Sequence, residues 1–168
     1  MKRKLLSIFI CLVMVLSVLP ISVFAEENEG ITYVDRSWDG EKVVERTMTV
    51  SNYITVDSNT TAFEDGKWYV VSGKVTVSGR INVSGTANLI LCDGCTLNAN
   101  SGIRLFEGNA LNIYGQSADS GKLNAKASYV GNSGIGGNQN DGNGGDLTVY
   151  GGSIYASGMV NAAGIGGG

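Results

Sequence analysis

Three consecutive segments, Tyr69-Val70-Val71-Ser72-Gly73, Val75-Thr76-Val77-Ser78-Gly79 and Ile81-Asn82-Val83-Ser84-Gly85, repeat with a period of six residues. Each alternates apolar and polar side chains before a Ser-Gly bend, the signature of a short strand with one buried face. Six residues leave no room for hairpin turns between antiparallel neighbours. The spacing suits one side of a coil in which the chain bends at every Ser-Gly and continues in the same rotational sense. The expected architecture is therefore all-β: a three-sided parallel β-helix, or β-solenoid, in which each coil lays its strands about 4.8 Å above those of the coil below.

Longer units in the second half extend the pattern. Leu89-Ile90-Leu91-Cys92, Leu111-Asn112-Ile113-Tyr114 and Leu147-Thr148-Val149-Tyr150 read as one strand met three times. Segments centred on Leu97, Leu123 and Ile154 form a second type, and those ending in Ile103, Ile135 and Ile165 a third. The central residues of the second type are 26 and 31 apart while the strand patterns hold, so length variation falls in loops such as 116–120 and 126–132. Leu89, Leu91, Leu97, Ile103, Leu111, Ile113, Leu123, Ile135, Leu147, Val149, Ile154 and Ile165 are expected to stack inward as aliphatic columns. Residues 26–65 lack the beat and carry a turn signal at Trp38-Asp39-Gly40. They are read as a strand pair or irregular N-terminal cap over the first coil, with coils over 66–168; the alternative is a separate small binding module.

Before this lies an address. Lys2, Arg3 and Lys4 precede an apolar run from Leu5 to Leu19, then Pro20 and Val23-Phe24-Ala25, so residues 1–25 read as a secretory signal peptide cleaved after Ala25. The run is shorter than the roughly 20 residues of a membrane span, which disfavours an uncleaved anchor. The mature chain keeps nine Lys and Arg against 15 Asp and Glu, a balance of −6, which argues against nucleic acid as a partner. No later stretch is apolar enough for a second span.

Composition narrows the chemistry. With no histidine in 168 residues, Ser-His and Cys-His nucleophiles and His-ligated zinc are excluded. Cys92-Asp93-Gly94-Cys95 straddles a turn and leaves two readings open, unpaired small residues or a turn-stapling disulfide. Residues 138–146 (NQNDGNGGD) resemble one unit of a calcium-binding Gly-Asp roll, in which Asp141, Asn143 and Asp146 would offer hard oxygens. The unit occurs once, so the plainer reading is a loop joining two coils, and no cofactor beyond that candidate calcium is expected. Tyr114 and Tyr150 occupy the same outward position of equivalent strands, in a row with Cys92. Such a strip is a stacking surface for sugar rings, extended by Tyr155 and Tyr129, or else a ladder that covers the sheet. A lyase would need clustered carboxylates and a basic residue beside them; here the carboxylates are dispersed, and Arg80 and Arg104 have no adjacent acid pair.

The string GKWYVVSGKVTVSGRINVSGTANLILCDGCTL (66–97), the LNIYGQS of 111–117 and the GIGG tetrads at Gly134 and Gly164 together resemble secreted right-handed β-helix repeat proteins of Gram-positive bacteria, many from the gut. These are pectin-lyase-like in architecture and adhesin-like or carbohydrate-binding. The resemblance implies a right-handed coil and a non-catalytic protein, secreted or held at the cell surface, with an extracellular polysaccharide or host-cell glycan as partner. A purely structural stalk and a polysaccharide lyase are the alternatives. It also implies further coils and an attachment module beyond Gly168, hence a truncated chain whose open last strands favour self-association.

Overall fold

The computed structural model describes residues 30–168, all of them in strands, turns and loops. Residues 1–25, read from the sequence as a signal peptide, lie outside the described residues. Two long strands come first: β1 (Ile31–Trp38) and β2 (Val43–Val50) form an antiparallel hairpin in which Ile31 faces Val50 and Trp38 faces Val43. Its turn is closed by Asp39, whose Oδ1 accepts the main-chain N–H groups of Glu41 and Lys42, both at 2.9 Å. Fourteen short strands follow: β3 (Ile54–Thr55), β4 (Ala62–Phe63), β5 (Trp68–Val71), β6 (Lys74–Val77), β7 (Ile81–Val83), β8 (Thr86–Leu91), β9 (Thr96–Ala99) and β10 (Ile103–Arg104). The remainder are β11 (Ala110–Gly115), β12 (Lys122–Lys126), β13 (Ile135–Gly136), β14 (Asp146–Val149), β15 (Ser153–Ser157) and β16 (Ile165–Gly166).

These fourteen strands are distributed over three sheets and pair with one another in parallel, while the β1–β2 hairpin joins the edge of sheet A antiparallel to β11. Sheet A stacks β3, β5, β8, β11 and β14; sheet B stacks β4, β7, β10, β13 and β16; sheet C stacks β6, β9, β12 and β15. From β5 onward the chain visits A, C and B in unbroken rotation. The three six-residue segments are one complete circuit, each supplying one side, and Gly73 makes the first bend with φ 71°, a conformation natural to glycine.

Registry between circuits fills the interior. Val75, Leu97, Leu123 and Ile154 form one column, and Ile81, Ile103, Ile135 and Ile165 another. Leu89, Leu91, Leu97, Ile103, Leu111, Ile113, Leu123 and Ile135 are wholly buried. Each contributes about 1.5–3 kcal/mol, gained only when a neighbouring circuit covers it. Toward β16 the columns open to solvent: Leu147 and Ile154 are half-buried, Val149 is 45% exposed and Ile165 54% exposed.

The GIGG tetrads belong to this registry. Gly136 stands directly below Gly166 with φ 140°, and a Cβ on Gly136 would overlap the Gly166 carbonyl oxygen. Only glycine allows the two backbones to approach so closely.

Two expectations require correction. In sheet A, Ile113 pairs with Leu89 and Leu111 with Ala87, a shift of two residues from the alignment of Leu111 with Leu89. A two-residue slip leaves the inward and outward faces unchanged, and the small inward Ala87 hides the true start of β8 from a reading keyed to large aliphatics. The circuits also begin before residue 66. Ile54–Thr55 and Ala62–Phe63 already pair with β5 and β7, and buried Val56 and Phe63 form the first rung of the core. The non-repetitive element is thus the hairpin, and it lies along the outer side of sheet A.

Column position sets the cost of truncation. Leu123→Ala should lower unfolding free energy by about 2–5 kcal/mol, whereas Ile165→Ala, at the open rung, should cost about 0.5 kcal/mol or less. Urea midpoints of the two variants measure the contrast; equal losses would contradict the packing gradient along the stack.

Candidate functional site

Alternation places every second residue of a strand on the outer surface, where registry aligns it into rows just as it does inside. On sheet A one outer row is Val70, Ile90 and Tyr114, continued by Tyr150. The neighbour of Tyr114 in this row is Ile90; the two-residue slip removes Cys92 from it. Tyr114 and Tyr150 stack face to face, centroids 4.7 Å apart and planes 4° from parallel.

Tyr114 is nevertheless only 9% exposed. The hairpin lies over it, with the Tyr33 ring 4.8 Å from both the Tyr114 and the Trp68 rings. Val70, Ile90 and Tyr114 form a second apolar core outside the solvent-shielded columns, closed by Ile31, Tyr33, Val50, Tyr53 and Trp68. Polar contacts pin the cover. Val34 pairs antiparallel with Gly115, the Arg36 guanidinium donates to the Tyr150 carbonyl at 2.7 Å, and the Gln116 amide donates to the Thr32 carbonyl at 2.8 Å. Burial, reinforced by nearby Tyr150, Tyr33 and Asp35, pushes the Tyr114 phenol up to about 12. The expected open strip is therefore closed at Tyr114, and Tyr150 is left half-exposed at its margin. A cleft of about 350 Å³ marks the joint between hairpin and first rung, lined by Val50, Asn52, Tyr53, Ile54, Lys67 and Trp68.

Sequence reasoning missed the covering residues. The alternation of Ile31, Tyr33 and Asp35 with Thr32, Val34 and Arg36 marks a strand, yet nothing in it specifies the side of the stack on which that strand lies.

Sheet C is the open counterpart. Its outer row runs Thr76, Asn98, Asn124 and Tyr155. The Asn124 amide donates to Asn98 Oδ1 at 3.0 Å, and the Asn98 amide donates to Thr76 Oγ1 at 3.3 Å. Tyr155 ends the row with 55% exposure, and Lys126 Nζ lies 5.6 Å from its ring centroid. The repeated Leu-Asn-Ala of 97–99 and 123–125 was a legible signal of this ladder. Tyr129 is also exposed, in the loop after β12.

The remaining candidates are drawn into the scaffold. Asp141 accepts a fork from Arg104, at 2.8 Å from Nε and 2.6 Å from Nη2, and this pairing holds its carboxyl below the usual carboxylate range. The Asn143 amide donates to Glu107 Oε2 at 3.2 Å, while Asp146 begins β14 in register with Ala110. The set Asp141, Asn143 and Asp146 is thus divided among separate partners, and the described residues contain no group of three or more acidic or cysteine side chains placed to hold a metal.

Cys92 and Cys95 flank the turn between β8 and β9 with free thiols, and burial pushes both thiol pKa values up, away from the reactive thiolate. Asp93 between them accepts the Ala118 N–H at 2.9 Å, which ties this turn to the next circuit and lowers its own pKa. Arg80 points its guanidinium along the edge of sheet B and donates to the carbonyls of Ser101, Ser133 and Gly136.

The covered tyrosine has a pH signature. A phenol with a raised folded-state pKa favours the folded protein until the unfolded chain ionises near pH 10, and that preference is lost as pH rises toward 12. Absorbance titration at 295 nm should therefore show a phenol that ionises only near pH 12. Tyr33→Ala should bring that midpoint down toward 10, and an unchanged titration would contradict the cover. No protein-family model, curated protein or solved structure matches this chain.

Proposed function

We propose that this chain is a secreted, non-catalytic, right-handed three-sided parallel β-helix, adhesin-like in role, that binds extracellular carbohydrate through its outer surface. The observation that carries this reading is the outer row of sheet C, where a ladder of amide and hydroxyl groups ends on an exposed aromatic ring. Sugars present apolar C–H faces and hydroxyl edges together, and a tyrosine beside asparagine amides complements both. Each Asn amide has two donors and an acceptor, so the ladder bonds leave polar capacity facing solvent. Of the tyrosines read as sugar-contacting, Tyr155 has the open ring and Tyr150 is half-exposed; Tyr114 is buried and stacks on Tyr150. Three rotating sheets on one core also suit display, since rows on a repeating backbone hold fixed spacing without bound ligand.

A lyase is disfavoured by the state of its candidate bases. Arg104 is forked onto Asp141, which raises its pKa and keeps it charged, and Arg80 is held as a donor to the carbonyls of Ser101, Ser133 and Gly136; a charged guanidinium is donor-only and has no lone pair to take a proton. A plain stalk shares the fold and differs in having no ligand.

Binding to immobilised polysaccharides tests the reading. Tyr155→Ala should reduce retention about 5- to 10-fold, as expected for loss of one aromatic stacking contact, with no change in thermal midpoint. Tyr114→Ala should lower the midpoint through the second core. Retention on no polysaccharide would leave the stalk reading, and release of unsaturated uronates from the matrix would establish the lyase.

A further inference from the structure

Basic residues are scarce and unevenly placed. Three of the nine between residues 26 and 168, Lys74, Lys122 and Lys126, lie on the four strands of sheet C, and those strands contain no Asp or Glu. All three lysines are exposed, and no ion pair among the described residues engages them. Lys74 and Lys122 share one outer row through Thr96, two rungs apart, or about 10 Å along the stack at the usual strand spacing. That row runs beside the Thr76, Asn98 and Asn124 ladder, and Lys126 stands on the far side of the ladder against Tyr155. The ladder is thus flanked by positive charge on both sides, in a chain whose balance over the same 143 residues is −6.

We infer that the outer face of sheet C is a track for an anionic polysaccharide, lying along the stack axis with its hydroxyls on the Asn98 and Asn124 amides. One sugar face stacks on Tyr155, and its carboxylate or sulfate groups lie between Lys74 and Lys122 on one side and Lys126 on the other. This rests on the carbohydrate-binding reading above and adds the charge class and position of the ligand. Charge complementarity selects the occupant. A neutral glycan would gain no Coulomb attraction from three lysines held free of acidic partners, and an acidic one is steered to this face against the overall negative charge. The extended, repetitive track matches a repeating chain better than a compact solute, because each rung presents the same backbone spacing.

Affinity electrophoresis through gels containing alginate, its esterified uncharged form, or polyphosphate tests this. The wild type should be retarded by alginate, and retardation should weaken as salt rises from about 50 to about 500 mM, over which the Debye length shortens roughly threefold. The Lys74→Gln, Lys122→Gln, Lys126→Gln variant, with an unchanged circular dichroism spectrum, should lose about eightfold in affinity, taking each exposed charge contact as roughly a factor of two. Tyr155→Ala should weaken alginate binding and leave the salt dependence in place. Equal retardation by the esterified form, insensitive to the lysine substitutions and lost in Tyr155→Ala, would overturn the anionic track and leave carbohydrate binding standing. Alginate binding unaffected by the lysine substitutions, or polyphosphate binding as strong as alginate binding, would overturn the track as well. Retardation by neither polysaccharide would overturn both.

Discussion

Backbone registry between successive circuits is the constraint on which everything else depends. Because each strand hydrogen-bonds to the strand above and below in parallel, a residue's position in its circuit determines its neighbours along the whole stack. Inside, this turns isolated aliphatic residues into columns such as Val75, Leu97, Leu123 and Ile154. Outside, it turns isolated polar residues into ladders. The same geometry dictates where side chains are forbidden: Gly136 and Gly166 coincide because the second circuit repeats the path of the first at a separation that leaves no room for a Cβ.

Strand faces and the order of sides were legible in the sequence because alternation and period depend only on local residue type. The three Ser-Gly segments became β5, β6 and β7, one on each sheet, and the Leu97, Leu123 and Ile154 alignment holds residue for residue. Alignment failed in sheet A, where Ala87 occupies an inward position that a search for large aliphatics skips. The slip was two residues and never one, since a one-residue slip would have turned the polar face inward. The burial of Tyr114 was not legible for a different reason. Periodicity distinguishes the two faces of a strand; it carries no information about a hairpin 80 residues earlier in the chain that lies across one of them.

Sheets A and C illustrate how similar outer rows acquire different fates. Both contain an asparagine ladder, Asn88 with Asn112 on A and Asn98 with Asn124 on C, each joined by a side-chain amide hydrogen bond of 3.0 Å. On A the adjoining row is Val70, Ile90 and Tyr114, apolar enough to hold the hairpin in place by burying aromatic surface. On C the adjoining positions are Lys74, Thr96, Lys122 and Ser153, which cannot be buried under an apolar strand without stranding charge. The identity of the residues beside the ladder, not the ladder itself, decides which face is scaffold and which face remains open.

Cation chemistry follows the same division. Arg36, Arg80 and Arg104 each bridge separate parts of the chain: Arg36 joins the hairpin to Tyr150, Arg80 spans successive circuits through their carbonyls, and Arg104 grips Asp141. A planar guanidinium suits that task because several fixed donors reach several acceptors at once. A lysine ammonium is a compact, strongly hydrated point charge on a flexible stem, poorly matched to spanning carbonyls and well matched to meeting a mobile anion in water. Lys74, Lys122 and Lys126 stand beside the Asn98 and Asn124 ladder, exposed and outside any ion pair among the described residues. Replacing them by arginine would preserve the charge of sheet C while adding forked donors able to capture neighbouring backbone or Asn oxygens, so the distinction between the two cations bears directly on whether that face stays open.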